Sequence, residues 1–191
     1  MKTIILASAS PRRKEILQKT GLKFKVYASD YEEDMDSHSD PHKLARHLSY
    51  MKAKKVAHKY KNALIIAADT FIVFKGRTLC KPRTASEARK MLKALNGRAH
   101  SVITGFTVMD TGTNRGISRS VETKVYFKKM TAKEIESYIR SGEPLGKAGG
   151  YAIQGLGAVL VKKIEGDYLN VVGLPLNALI DCLKKFGVDV L

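Results

Sequence analysis

The 191 residues suffice for one domain with a sizeable core, or for two small lobes sharing a cleft. Their 44% hydrophobic content is ordinary for a globular protein, and no stretch reaches the ~20 apolar residues that span a bilayer, which argues against a helical membrane protein. Lys and Arg number 34 against 18 Asp and Glu, a net charge of +16 that favours polyanions: nucleic acid, an anionic membrane or a phosphorylated substrate.

Taken in order, Thr3 to Ala7 reads as a buried strand. Its apolar run is too short for a signal peptide, and Pro11-Arg12-Arg13-Lys14 follows at once, so a cytosolic (cytoplasmic) protein is expected. Ser10-Pro11 is a helix start, with Ser as N-cap and Pro in the first turn, and Gly21 is its stop. Phe24 and Val26 alternate as a second strand, followed by an acidic segment from Asp30 to Asp36. Asp40-Pro41 opens a long helix with Leu44, Leu48, Met51 and Val56 as its apolar stripe. Ala63 to Ala68 is a continuous apolar run, the pattern of a strand buried on both faces; it ends in Asp69-Thr70, and Phe71 to Phe74 continues it to a turn at Lys75-Gly76.

Thr84-x-x-Glu87 is a capping box for a helix through Leu95. Strands from Ala99 to Met109 and from Ile117 to Phe127 flank a turn at Asp110–Asn114, so they are expected to pair antiparallel. Thr131-x-x-Glu134 caps another helix, and a glycine-rich loop runs from Gly146 to Gly150. Short strands are expected at Tyr151–Ile153, Ala158–Ile164 and Tyr168–Val172, with a turn at Glu165-Gly166-Asp167; Pro175 then starts the last helix. The whole predicts an α/β fold, a mixed twisted sheet flanked by helices, with two lobes around a cleft and a single domain over residues 1–191.

Ser8-Ala9-Ser10-Pro11-Arg12-Arg13 lies where a strand hands over to a helix. Unpaired N–H groups, two hydroxyls and two guanidinium groups there suit a phosphate; the plainer alternative is an N-capped helix with surface arginines. Asp69 follows a strongly apolar lead-in, and an unpaired buried charge is costly, which favours a dedicated role. Glu33 stands in an acidic island of a basic chain: a solvated loop taken alone, a cation site beside phosphate-binding residues. Lys52 and Lys81 read singly as surface lysines; together with the arginines they could neutralise a triphosphate. Gln154 offers an amide donor and acceptor suited to a nucleobase edge, and equally to a structural hydrogen bond. There is no phosphate-loop pattern and no His-Glu-x-x-His; Gly155-Leu156-Gly157 lacks the third glycine of a dinucleotide fingerprint. Cys80 and Cys182 form no metal pattern, and no disulfide between them is expected.

Ser8-x-Ser10-Pro11-Arg12-Arg13, Glu33, Lys52-Ala53, Asp69-Thr70, Lys81-Pro82, Lys147-Ala148-Gly149-x-Tyr151-x-Ile153-Gln154-Gly155 and Gly173-Leu174-Pro175 occur in one order over nearly the whole chain. In that order and spacing the sequence resembles the Maf proteins, also called septum-formation proteins, a family of nucleotide pyrophosphatases. The resemblance implies a mixed α/β fold with a deep cleft, like that of inosine triphosphate pyrophosphatases. It implies a hydrolase dependent on a divalent metal cation, Mg²⁺ or Mn²⁺. Ser8, Ser10, Arg12, Arg13, Lys52 and Lys81 would hold phosphates; Glu33 and Asp69 would serve the metal and the attacking water; Thr70 and Gln154 would face the base. Arg12, Thr70 and Gln154 match the branch that favours dTTP and UTP, where the other branch has Trp, Gln and Glu and favours 7-methyl-GTP. Ala67, Gly150 and Ala152 depart from the residues usual in the family.

The expected function is therefore hydrolysis of a nucleoside triphosphate to its monophosphate and pyrophosphate, clearing the nucleotide pool. A homodimer is expected by analogy alone. The alternatives are a nucleic-acid-binding or division-regulating protein that uses its basic surface, and an enzyme acting on another phosphorylated metabolite.

Overall fold

The computed structural model describes residues 2–191. Its elements are β1 (Thr3–Leu6), α1 (Pro11–Gln18), β2 (Phe24–Val26), α2 (Pro41–Ala57), β3 (Ala63–Phe74), β4 (Arg77–Leu79), α3 (Ala85–Leu95), β5 (Ala99–Asp110), β6 (Gly116–Phe127), α4 (Ala132–Arg140), β7 (Val161–Glu165), α5 (Tyr168–Val172) and α6 (Leu176–Lys184). The seven strands among the described residues form one mixed sheet in the order β2-β1-β3-β5-β6-β7, with β4 paired to β3 off this path. Parallel pairing joins β1 to β2 and to β3, whereas β3–β4 and β6–β7 are antiparallel.

The chain forms two compact units. One comprises the chain up to Asp69, Thr104–Val121 and Gly173–Leu191; the other comprises Thr70–Ile103 and Glu122–Val172. In the first, Ile5, Ile65 and Ala67 on the strands and Ala7 just past β1 pack with Ala53 and Val56 of α2. Close approach at Gly105 brings α2 onto β5: a Cβ there would sit 2.0 Å from the Ala45 carbonyl oxygen. In the second unit, Leu92 and Leu95 of α3 and Ile135, Tyr138 and Ile139 of α4 cover Val102, Val125 and Phe127.

Local chemistry sets the ends of the helices. The Ser10 hydroxyl accepts from the Arg13 N–H, and the Asp40 carboxylate accepts from the His42 and Lys43 N–H groups. Thr131 and Glu134 form a complete capping box. At α3 the box is altered, because Glu87 accepts from the Arg83 N–H instead of that of Thr84. The β5–β6 turn is closed by the Asp110 N–H donating to the Arg115 carbonyl at 2.9 Å.

Three sequence expectations give way in the second unit. Tyr151–Ile153 is not a strand, and Ala158–Leu160 belongs to a 3-10 helix, Leu156–Leu160, that precedes β7. Tyr168–Val172 is helical: the Asp167 carboxylate accepts from the Leu169 and Asn170 N–H groups at 2.7 and 3.2 Å, so this aspartate caps a helix where a hairpin turn was expected. In the first unit, Asp69 lies inside its strand and not at its end, since β3 runs unbroken for 12 residues to Phe74.

Candidate active site

From β1 the chain passes through α1 to β2 on one side, and from β2 it passes through α2 to β3 on the other. The local order β2-β1-β3 makes the β1/β3 edge a switch point, where the carboxyl ends of parallel strands leave a crevice. The β1–β3 register ends at Leu6 opposite Ile66, and the Ala7 N–H makes one more bond to the Ile66 carbonyl. Beyond it the chain enters Ser8–Arg13 and the start of α1, while β3 carries on through Asp69.

Ser8 is buried, and its Oγ accepts from the Ser10 N–H at 3.2 Å and from Arg13 Nη1 at 3.3 Å. Arg13 Nε donates to the Gly173 carbonyl at 2.8 Å, tying the start of α1 to the segment before α6. Burial lowers the Arg13 pKa, while the charges of Asp69 and Glu33 act against that shift and that of Arg12 adds to it. The guanidinium is thus in electrostatic reach of both carboxylates.

The carboxylates converge on one ammonium group. Lys52, buried on α2, donates to Glu33 Oε1 at 2.5 Å and to Asp69 Oδ1. Asp69 is only 4% exposed, so this partner offsets the cost of burying its charge. Lys52 is therefore not the surface lysine its isolated sequence suggests. Two oxygen donors about a single cation position fit Mg²⁺ or Mn²⁺, which take one or two carboxylates and complete their shell with waters and substrate phosphates. No larger cluster of His, Cys, Asp and Glu suited to a metal occurs among the described residues.

Ser8, Ser10, Arg12, Arg13, Glu33, Lys52 and Asp69 thus belong to one unit, and Thr70, Lys81 and Gln154 to the other. In that second unit Lys81 and Gln154 are exposed and Thr70 is half-buried. The Gly149 N–H donates to the Cys80 carbonyl at 3.2 Å and the Gly146 N–H to that of Pro82 at 3.1 Å, so the glycine-rich loop is stitched to both neighbours of Lys81. Cys80 is exposed and Cys182 is buried. Sequence reasoning missed the Arg13–Gly173 tie, whose partner is a backbone carbonyl without a side-chain signal. It also missed Glu143, an intermediate-burial acid in a loop.

Parallel strands ending at a switch point, a hydroxyl- and guanidinium-rich helix start and a carboxylate pair form the kind of site used by α/β enzymes that act on phosphorylated substrates. The family model described as Maf-like protein matches residues 3–186, and the chain belongs to that family. It is 49% identical to the dTTP/UTP pyrophosphatase of Methanosarcina barkeri, over all of this chain and 97% of the relative. The protein of the same name from Alkaliphilus metalliredigens is 47% identical over the full length of both. That from a Thermoanaerobacter species is 49% identical over 98% of this chain and 99% of its own. No helix among the described residues is long and apolar enough to cross a membrane.

Proposed function

We propose that this chain hydrolyses dTTP and UTP to the nucleoside monophosphate and pyrophosphate, as its relatives' names describe them. The observation that carries the reading is the Glu33–Lys52–Asp69 cluster within reach of Arg13, at the end of the parallel strands. A nucleic-acid-binding surface has no use for two acids gathered at a phosphate site, because they would repel the backbone.

In this reading Ser8, Ser10, Arg12, Arg13 and Lys52 bind phosphates, and Lys81 is assigned to them by its matched position. Glu33 and Asp69 would hold a divalent ion, which supplies charge neutralisation on the phosphates. Water attacks the α-phosphorus, the bond from that phosphorus to the bridging oxygen breaks, and pyrophosphate leaves. One of the two carboxylates takes the proton of the attacking water. The cationic side chains stabilise charge that moves onto the leaving oxygen. Thr70 and Gln154 are assigned to the base, whose pyrimidine edge an amide can complement as donor and acceptor. The assignment extends to a single functional domain acting in the cytoplasm.

Pyrophosphate release with Mg²⁺ or Mn²⁺ from a panel of dTTP, UTP, CTP, 7-methyl-GTP and ITP tests this. Strong release from dTTP and UTP is expected. Release from another base alone would overturn the base assignment, and release of orthophosphate in place of pyrophosphate would overturn the reaction.

A further inference from the structure

Gly155-Leu156-Gly157 carries two glycines of a dinucleotide fingerprint, yet phosphate binding gives them no task. They admit an internal carboxylate instead. Glu143, just beyond α4, accepts from the Leu156 N–H at 2.9 Å and from the Gly157 N–H at 2.8 Å. Its Oε1 also accepts from the Tyr138 hydroxyl at 2.8 Å, and that hydroxyl oxygen accepts from the Ala152 N–H at 3.2 Å. A Cβ on Gly155 would lie 2.1 Å from Glu143 Oε2; one on Gly157 would lie 2.6 Å from the Tyr138 hydroxyl and 2.7 Å from the Ala152 oxygen. A side chain at Gly157 would meet the Ala152 backbone, and one at Gly155 would displace the Glu143 carboxylate.

Electrostatics agree with this geometry. Burial works against the charged form of Glu143, but the bonds from Gly157, Tyr138 and Leu156 prevail and hold its pKa below the usual carboxylate range. Burial, and then the bond to Glu143, push the Tyr138 hydroxyl up, so it stays a neutral donor.

The held segment surrounds Gln154. The Gly155 N–H donates to the Ala152 carbonyl at 3.2 Å, a turn with Ile153 and Gln154 at its centre. Tyr138 fixes Ala152 before the turn, and Glu143 fixes Leu156 and Gly157 after it. Gln154 itself is exposed. We propose that Glu143 is a positioning residue for base recognition: with Tyr138 it clamps both ends of the turn that presents Gln154, so that the amide meets the base edge in one orientation. This rests on the assignment of Gln154 to the base.

Glu143→Gln tests it with little change of shape, since an amide oxygen can accept from one N–H where the carboxylate accepts from two. In the nucleotide-free protein, hydrogen exchange at the Leu156 and Gly157 amides should quicken about tenfold, the effect of losing one charge-assisted hydrogen bond. With dTTP, KM should rise about tenfold while kcat stays within about twofold, and the preference for dTTP over dCTP should fall. Gly155→Ala should do the same by expelling the carboxylate, and the double variant should be no worse than the worse single one. Unchanged amide exchange, or an additive double variant, overturns the clamp. Gln154→Ala separates the two ideas. If it lowers base preference while Glu143→Gln does not, the positioning role fails alone; if neither changes it, the assignment of Gln154 fails and takes the proposal with it.

Discussion

Lys52 shows how one side chain is redefined by what lies opposite it. Glu33 comes from the loop before α2 and Asp69 from the middle of β3, and neither position is deducible from the other by spacing. Replacing Asp69 by Asn removes one charge but leaves the Lys52–Glu33 pair in place. The fold should survive, with kcat for dTTP lower by about a thousandfold or more, as for loss of a group that acts on the reacting centre. Near-normal turnover would remove Asp69 from the chemistry, and circular dichroism would show whether the fold was kept. Lys52→Met does the reverse and leaves two carboxylates facing one another. It should cost about 3 kcal/mol in denaturant unfolding without divalent ions. Part of that should return when Mg²⁺ is added, because an ion bound only by the native state stabilises it. Equal stability with and without Mg²⁺ would count against Glu33 and Asp69 as a cation pair.

At the scale of elements, packing α2 against β5 depends on the missing side chain of Gly105. With a methyl group 2.0 Å from the Ala45 carbonyl oxygen, Gly105→Ala must push helix and strand apart. It should cost about 3 kcal/mol or more, since a backbone neighbour cannot swing aside as a side chain can. A change of less than about 0.5 kcal/mol in urea unfolding would show that α2 rides loosely on the sheet. The sequence made α2 and β3 legible because each has a plain local signal: Asp40-Pro41 with a helical apolar stripe, and six apolar residues in a row from Ala63 to Ala68. The Ser8–Arg13 start of α1 was legible for the same reason, as a strand end followed by an N-cap and proline. Residues 151–160 and 168–172 were misread because their hydrogen-bond partners are remote, whereas Val161–Ile164 is strand as expected. Leu156 and Gly157 donate to Glu143, and the buried Asn170 amide donates to the Val102 carbonyl and the Thr123 hydroxyl. Periodicity carries no trace of a bond across 68 residues, so alternating Val and Tyr looked like strands. The Glu33–Asp69 pairing was legible only through family resemblance, because three separate segments must fold before its members meet.

Over the whole molecule, the +16 charge should draw nucleotides in at low salt, and it makes acid stability depend on groups that resist further protonation. His100 is such a group. It is 3% exposed, its Nε2 is 2.8 Å from the Tyr151 hydroxyl, and its ring meets those of Phe127 and Tyr151 edge to face. Its Nδ1 has no hydrogen-bond partner, and burial lowers its pKa to about 4. The neutral ring is therefore the folded form, whereas an unfolded histidine takes a proton near pH 6.5. Between these values the unfolded state binds more protons, so stability is complete above about pH 6.5 and is lost as pH falls towards 4. The depressed carboxylates, Glu134 at about 2 among them, act below the unfolded carboxylate range near 4.5, so the window above pH 5 isolates the histidine. Unfolding free energy should drop by about 2 kcal/mol from pH 7.5 to 5. His100→Leu should lower stability throughout, because it strands the Tyr151 hydroxyl, but should flatten that slope. A variant as steep as the parent would place the pH sensitivity elsewhere. A parent that is flat from pH 7.5 to 5 would mean that His100 finds water, and is protonated, inside the fold.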